Sequence, residues 1–197
     1  MASQRELSFV DNLQLTANLS YKGGTFKVSG SNVKAFSSQM HPWGYEAELT
    51  FYVSNFPVKE KFYDSFIKDD PITISLEIKY GLVTPKKEKV LPLTLKGYVF
   101  ERAYEEVSGS FQEDVMVKSH PVSYRLYTIR FSDPASFFWK RHFPVQLYTD
   151  ATYKSVMTQN TPQGLDVTYN WNLFEAKNTQ VMVNCTEQGA SFYDYFI

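Results

Sequence analysis

The sequence predicts a β-rich α+β protein, in which a barrel-like antiparallel β domain is followed by a smaller mixed α/β domain. Three observations carry this prediction. Apolar and polar residues alternate strictly along two segments, and aromatic residues, which favour strands, make up 17% of the chain. After residue 131 the pattern changes to short helical segments with capping residues. We therefore expect a barrel-like domain over residues 1–131 and an α/β domain over residues 132–197.

Alternation is clearest over residues 45–53 and 72–79. In each segment every second residue is apolar, and the intervening residues include glutamate, lysine, serine or threonine. A strand with one charged face is half-buried, so both segments are predicted as strands at the surface of a core. The pair Gly23-Gly24 between residues 19–21 and 25–28 predicts a hairpin turn. Further strands are predicted over 93–104 and 124–131.

Other segments of the first domain break the alternation. Phe62, Phe66 and Ile67 fall at helical spacing, which predicts a short helix ended by the residues before Pro71. Residues 81–89 are predicted to form a basic loop. Residues 105–119 are polar and contain Ser108-Gly109-Ser110, so a mobile hairpin tip or a long loop is expected there.

The second domain is predicted to begin with a capped helix. Asp133 precedes Pro134, which is the order of an N-cap residue and a first-turn proline, and the helix should run to about residue 141. Thr149-Asp150 is expected to cap a second helix over 151–159. Strands are predicted over 143–148, 167–171 and 181–185. Ser191 and Asp194 have the spacing of a capping box at the start of a last helix.

Composition argues against several classes of function. The net charge of −1 does not favour binding to nucleic acid or to an anionic membrane surface. No stretch approaches the roughly 18 apolar residues that span a membrane, and the polar start shows no signal peptide. Cys185 is the only cysteine, so no disulfide within the chain is expected.

The residues also give no sign of a catalytic or metal centre. His41, His120 and His142 are far apart in sequence and lack the spacing of metal ligands. Neither a nucleophile elbow nor a phosphate-binding loop is present. We therefore predict no catalytic residue, no cofactor and no metal. The acidic pairs at 105–106 and 113–114 are interpreted as solvated loops, and the basic run at 86–89 as a solubilising turn.

Interface residues are expected where bulky side chains occur on both faces of a strand. Residues 124–131 have this composition, and residues 41–45 place aromatic residues at the entry to a strand. Large aromatic and aliphatic side chains are enriched at protein interfaces. The candidate interface residues are Tyr124, Tyr127, Ile129, Phe131 and Trp43. Trp43 could alternatively stack on a sugar.

One ordered pattern extends from residue 93 to residue 197. It contains a strand around Gly97, the strand over 124–131, a helix with the basic end Lys140-Arg141, and the strand over 143–148. It closes on residues 186–195, which keep Glu187 and Asp194. This order resembles the N-terminal hub region of VgrG-type spike proteins and of the related late-control baseplate hubs of contractile phage tails. Residues 26–30 and 49–53 resemble the opening strands of that family.

The resemblance implies a structural function and no catalysis. Members of the family form a homotrimer that joins a spike to a hexameric tail tube, and their partners are the tube protein and spike or baseplate proteins. The resemblance implies assembly in the bacterial cytoplasm and incorporation into a phage or type VI secretion particle. It also implies a second barrel-like domain beyond residue 197. On that interpretation the chain is truncated and should associate only weakly.

Two other classes of function are compatible with the residues. An aromatic-rich β-sandwich that binds a carbohydrate or a protein ligand would expose a row of aromatic side chains near Trp43. An enzyme would instead contain a pocket with perturbed ionisable groups.

Overall fold

The computed structural model describes residues 13–41, 44–54, 60–80, 92–109, 122–162 and 179–196. The predicted loop over 81–89, the predicted strand over 167–171 and Trp43 lie outside these residues. The strands are β1 (Leu13–Tyr21), β2 (Gly24–Val28), β3 (Val33–His41), β4 (Gly44–Ser54), β5 (Thr73–Tyr80), β6 (Leu93–Gly109), β7 (Val122–Ser132), β8 (Val145–Ala151) and β9 (Thr179–Asn184). The helices are α1 (Glu60–Ile67), α2 (Pro134–Trp139), α3 (Tyr153–Gln159) and α4 (Phe192–Phe196).

The strands form two sheets. Seven strands make the larger sheet in the order β2-β1-β5-β6-β7-β4-β3, and β8 pairs with β9 in the smaller one. The pairs with a resolved register are antiparallel. The predicted fold class is confirmed, although the larger sheet is open, so the domain is barrel-like only in a loose sense.

The chain divides into two compact units. The first comprises residues 1–40 and 45–133, with α1 and most of β1 to β7, and the second comprises residues 41–44 and 134–197, with the remaining elements. The predicted boundary between residues 131 and 132, as a boundary between two domains, stays a prediction.

The larger sheet is strongly curved. Strands β2 and β4 are five positions apart in it, which would separate them by about 24 Å in a flat sheet. The ring of Phe26 on β2 nevertheless lies 6.4 Å from that of Phe51 on β4. The concave face therefore encloses the core of the first unit, and the alternating apolar residues predicted on β4 and β5 line it.

Helix α1 fills the concave face of the sheet. Phe62 is fully buried and packs against aromatic rings from four strands. Its ring is stacked 4.6 Å from Phe26 and lies 5.5 Å from both Tyr21 and Tyr127. The helical spacing of Phe62 and Phe66 predicted this helix, because that spacing places both rings on one face.

Arg102 fixes the end of α1 against the sheet. Its guanidinium donates hydrogen bonds to the carbonyl oxygens of Phe66 at 3.3 Å and Asp70 at 2.6 Å. A cation at these carbonyls also complements the negative end of the helix dipole. Burial lowers the pKa of Arg102, and the charges of Asp69 and Asp70 oppose that shift.

A β-bulge in β6 places Arg102 on the concave face. The register with β7 runs Val99 opposite Phe131 and then Glu101 opposite Arg130, so Phe100 is the extra residue. The extra residue reverses which residues of β6 point to the concave face. The side chains of Arg102 and Tyr104 therefore lie on the same face as that of Val99, towards α1.

Two predicted local features differ in the structure. Strand β6 continues to Gly109, so residues 105–109 belong to a strand and not to a hairpin tip. Residues 149–151 belong to β8, and the N-cap of α3 is Thr152, which forms a capping box with Ser155. The hydrogen bonds that β6 and β8 make to their partner strands prevail here over local turn and cap preferences.

Gly97 occupies a point where β6 and β7 come very close. A Cβ atom at this position would lie 2.2 Å from the carbonyl oxygen of Ser132, which is backbone and cannot rotate away. We expect Gly97→Ala to lower the free energy of unfolding by about 1–3 kcal/mol, the usual range for overpacking. Chemical denaturation followed by circular dichroism measures the difference.

Gly189→Ala is the control, because its nearest neighbour is the hydroxyl of the exposed Thr186 side chain, which can rotate away. Equal destabilisation by the two substitutions would contradict a specific close approach at Gly97.

Candidate functional site

The C-terminal half of β3 forms an exposed edge of the larger sheet. This strand ends the sheet beside β4, and on its other side no described strand pairs with it. Residues 37–40 are exposed on both faces of the strand, and the side chain of Met40 is 51% exposed. We call residues 37–40 the open edge.

An open edge of this kind is an unusual feature in a folded protein. Unpaired N–H and C=O groups along a strand edge are templates for pairing with another chain, and proteins protect them with prolines, charges or short strands. The open edge contains no proline, lysine or arginine. Glu46 and Arg130 lie beside it on neighbouring strands, where Arg130 forms an ion pair with Glu101 at 2.8 Å.

The structure places four of the five predicted interface residues. Tyr127, Ile129 and Phe131 are buried in the core of the first unit, with 1% exposure or less. Their side chains therefore pack inside this unit and are not exposed at its surface. Tyr124 is half-buried, and its ring packs edge-on against Tyr52 at 6.4 Å. Trp43 lies outside the described residues, and the predicted interface itself stays a prediction.

A second surface combines aromatic rings with an arginine. The guanidinium of Arg125 lies 3.8 Å from the centre of the Tyr63 ring and donates to Glu106 at 3.0 Å. The Tyr63 hydroxyl donates to that of Tyr104 at 3.2 Å. We call these four residues the aromatic–arginine patch. Tyrosine and arginine are enriched at interface hot spots, so this patch is a second candidate surface.

Two tyrosines at the patch, Tyr63 and the underlying Tyr127, have raised pKa values. Burial raises the pKa of Tyr127 to about 12, and the nearby Arg125 charge and hydrogen bond oppose that shift. The hydrogen bond to Tyr104 raises the pKa of Tyr63. Both phenols are therefore held in the neutral form.

In the second unit, the outer face of the small sheet is apolar. Leu147 and Met182 are directly opposite each other, and both are more than half exposed, as is Val145 two residues away. Tyr195 donates its hydroxyl to the Met182 carbonyl at 3.1 Å. The other face of the sheet packs Tyr148, Val181 and Val183 into the core of this unit.

Asn160 organises the interior of the second unit. Its side-chain amide donates to the Tyr148 hydroxyl at 2.7 Å and to the Val156 carbonyl at 2.8 Å. Its side-chain oxygen lies 2.8 Å from Nε2 of His142, and its backbone carbonyl accepts from Trp139 at 3.2 Å. Since the amide already donates twice, Nε2 of His142 is the donor in this pair.

Sequence reasoning missed this network. Asn160 precedes Thr161 and Pro162, which together indicate a turn, and His142 is isolated in sequence. Only the packing of α2, β8 and α3 brings the partners together. The capping box of Ser191 and Asp194 was predicted correctly, since Ser191 N–H donates to the Asp194 carboxylate at 2.9 Å. Hydrogen bonds from Ser191 lower the pKa of that carboxyl.

The described residues contain no group of three or more histidine, cysteine or acidic side chains placed to hold a metal ion. Cys185 is buried, and burial raises the pKa of its thiol. Among the described helices, none is long and apolar enough to cross a membrane.

The fold is one that solved structures share. No family profile and no curated protein matches the sequence. Chains in solved PdpA–VgrG complexes do match in structure. In the half-lidded complex from Francisella, the match covers 99% of this chain with a TM-score of 0.66 and 13% identity.

Two other PdpA–VgrG complexes give the same result. The lidless form matches 94% of this chain with a TM-score of 0.65, and the lidded Francisella form matches 93% with a TM-score of 0.64, each at 14% identity. Identities this low establish the fold alone. This chain spans 30% of the matched chain in the half-lidded and lidless forms and 25% in the lidded form.

The Asn160 network generates a prediction about stability. We expect Asn160→Ala to lower the free energy of unfolding by about 2–4 kcal/mol, because the buried Tyr148 and the half-buried His142 lose their hydrogen bonds. Thr158→Ala, which removes an exposed hydrogen bond on the same helix, is the matched control. Urea titration of both variants measures the difference, and a loss at Asn160 no greater than at Thr158 would contradict the prediction.

The raised pKa of Tyr127 generates a prediction about alkaline stability. A folded-state pKa of about 12 against the ordinary 10.0 means that the folded chain holds this proton more tightly. Its contribution is therefore complete below pH 10 and is lost as the pH rises towards 12. We expect the free energy of unfolding to fall less steeply in Tyr127→Phe than in the wild type.

Tyr153→Phe removes an exposed phenol and serves as the control. Denaturant titrations at pH 9, 10, 11 and 12 give the free energy of unfolding as a function of pH. If it falls equally steeply in the wild type and in Tyr127→Phe, the raised pKa of Tyr127 is refuted.

Proposed function

We propose that this chain is a structural hub component of a contractile injection machine, of the kind found in type VI secretion spikes and phage-tail baseplates. In this proposal copies of the protein join through strand edges into a trimer, which connects a spike to a hexameric tail tube. The proposed role is one of assembly and not of catalysis. The observation that carries it is the open edge of β3, on a fold shared with chains of PdpA–VgrG complexes.

The physical argument begins with the backbone of the open edge. No described strand pairs with this side of β3, so a second chain could pair with its N–H and C=O groups. Closed symmetric assemblies remove such edges by pairing them between subunits. A ring of subunits is therefore a natural use for an edge that carries no protective proline, lysine or arginine.

The neighbouring side chains support the same use. The outer faces of β4 and β7 next to the edge carry Glu46, Glu48 and Arg130. Charges of both signs beside a pairing edge can fix which chain pairs there and in what register. The aromatic–arginine patch would add a second contact of the hot-spot type.

Light scattering across a dilution series tests the role of the edge. We expect the average mass of the wild type to rise above 22.8 kDa with concentration, and that of Ser38→Lys with Met40→Lys to stay there. Lysines on an edge disfavour pairing with a second chain. The control is Asn18→Lys with Ser20→Lys, because β1 is paired on both sides at these exposed positions.

The same proteins should then be sedimented with the hexameric tail-tube protein of the source organism. We expect the wild type and the β1 control to sediment with the tube and the edge variant to remain in solution. A wild type that stays at 22.8 kDa and fails to sediment with the tube would refute the proposed function.

A further inference from the structure

Two tyrosines of the aromatic–arginine patch meet at the surface of the first unit. Tyr63 lies on α1 and Tyr104 on β6, and their ring centres are 5.4 Å apart with the ring planes at 87°. The Tyr63 hydroxyl donates to the Tyr104 hydroxyl at 3.2 Å. Two phenols that met end to end through their hydroxyls would have ring centres much farther apart, so these rings lie side by side. The carbons next to the two hydroxyls are therefore close to each other as well.

Neighbouring side chains hold the two rings in this arrangement. The guanidinium of Arg125 lies 3.8 Å from the centre of the Tyr63 ring and is fixed by its hydrogen bond to Glu106 at 3.0 Å. The Tyr104 ring packs edge-on against Phe66, with the ring centres 6.5 Å apart. Both phenols are nevertheless open to solvent, because Tyr104 is 45% exposed and Tyr63 is half-buried.

We propose that Tyr63 and Tyr104 form an oxidation site, at which a one-electron oxidant joins the two rings by a carbon–carbon bond. Each phenol loses one electron and its hydroxyl proton and becomes a phenoxyl radical. The radicals couple at the carbons next to their oxygens, and the hydrogen on each of these carbons moves to the oxygen and restores the phenol. With a peroxidase as the oxidant, the two electrons and two protons reduce one hydrogen peroxide molecule to two water molecules.

Proximity favours this pair over other tyrosines. Two groups held side by side react without first having to meet by diffusion, which removes a large part of the entropic barrier. Tyr127 also lies near Tyr104, with ring centres 6.5 Å apart, but it is buried and less open to an oxidant. Tyr52 and Tyr124 form a comparison pair on the sheet, with ring centres 6.4 Å apart.

The new bond would connect α1 to β6 through residues that are 41 positions apart in sequence. A covalent link between distant residues restricts the unfolded chain, and more so when the loop that it closes is long. It would also hold α1 on the concave face of the sheet, where Phe62 and Phe66 fill the core. Oxidation at this site therefore stabilises the first unit against unfolding.

This inference is independent of the proposed hub function, because it concerns two side chains within one copy of the chain. A cross-link found in the monomer supports the inference whether or not the chain assembles, and its absence leaves the hub proposal to its own tests.

The experiment treats the complete folded chain, in dilute solution, with a haem peroxidase and hydrogen peroxide. Trypsin then releases Tyr63 in residues 62–68 and Tyr104 in residues 103–118, and neither peptide contains another tyrosine. We expect a cross-linked product with the summed mass of these two peptides less two hydrogen atoms. The monomeric fraction should also show dityrosine fluorescence.

Conservative variants test the assignment. Tyr63→Phe and Tyr104→Phe each keep the ring but remove the phenol, so each should abolish the product while circular dichroism shows an unchanged fold. Tyr153→Phe, which removes an exposed phenol on α3, is the matched control and should leave the yield unchanged. The treated wild-type monomer should unfold at a higher urea concentration than Tyr63→Phe treated in the same way.

Three results would overturn the inference. The first is absence of the product that joins residues 62–68 to residues 103–118. The second is coupling of Tyr52 with Tyr124 in equal yield, which would show that the arrangement at the patch has no special effect. The third is a urea midpoint of the cross-linked monomer no higher than that of the treated Tyr63→Phe variant.

Discussion

The packing of Phe62 against the curved sheet is the contact on which the first unit depends. Seven strands that curve enough to bring β2 near β4 leave a concave space that their own side chains do not fill. Helix α1 supplies the missing volume, and Phe62 meets rings that come from β1, β2, β4 and β7. Offset and edge-on aromatic pairs contribute about 0.5–1.5 kcal/mol each beyond their buried area. Loss of this one ring would therefore weaken several distant strand contacts together.

The open edge follows from the same architecture. The larger sheet is open and β3 is its last strand, so one side of β3 has no described strand to pair with. Helix α1 fills the concave face of the sheet but does not supply a partner strand for its end. An unpaired strand edge of this kind is a template for pairing with a second chain.

Elements with a periodic pattern of apolar residues could be predicted from the sequence, whereas features that depend on contacts between distant residues could not. Alternation identified β4 and β5 with their buried faces, and helical spacing identified α1, because one face of each element is apolar. The bulge at Phe100 has no local signature, yet it decides that Arg102 faces α1. The Asn160 network was equally hidden, since its partners meet only when α2, β8 and α3 pack. The cap of α3 was placed at 149–150 because a threonine and an aspartate favour caps, but those residues are held in β8.

The structure shows which of the many aromatic residues belong to the core, a question that the sequence left open. Large aromatic side chains indicate either a core or an interface, and composition cannot separate the two. Here Phe51, Phe131 and Tyr127 are in the core, and Tyr104 and Tyr63 form the rim of that cluster where α1 meets the sheet. These aromatic side chains are therefore used mainly within the chain. A core keeps its pattern of apolar positions while the individual side chains change, so a fold can be shared at the 13–14% identity found with chains of PdpA–VgrG complexes.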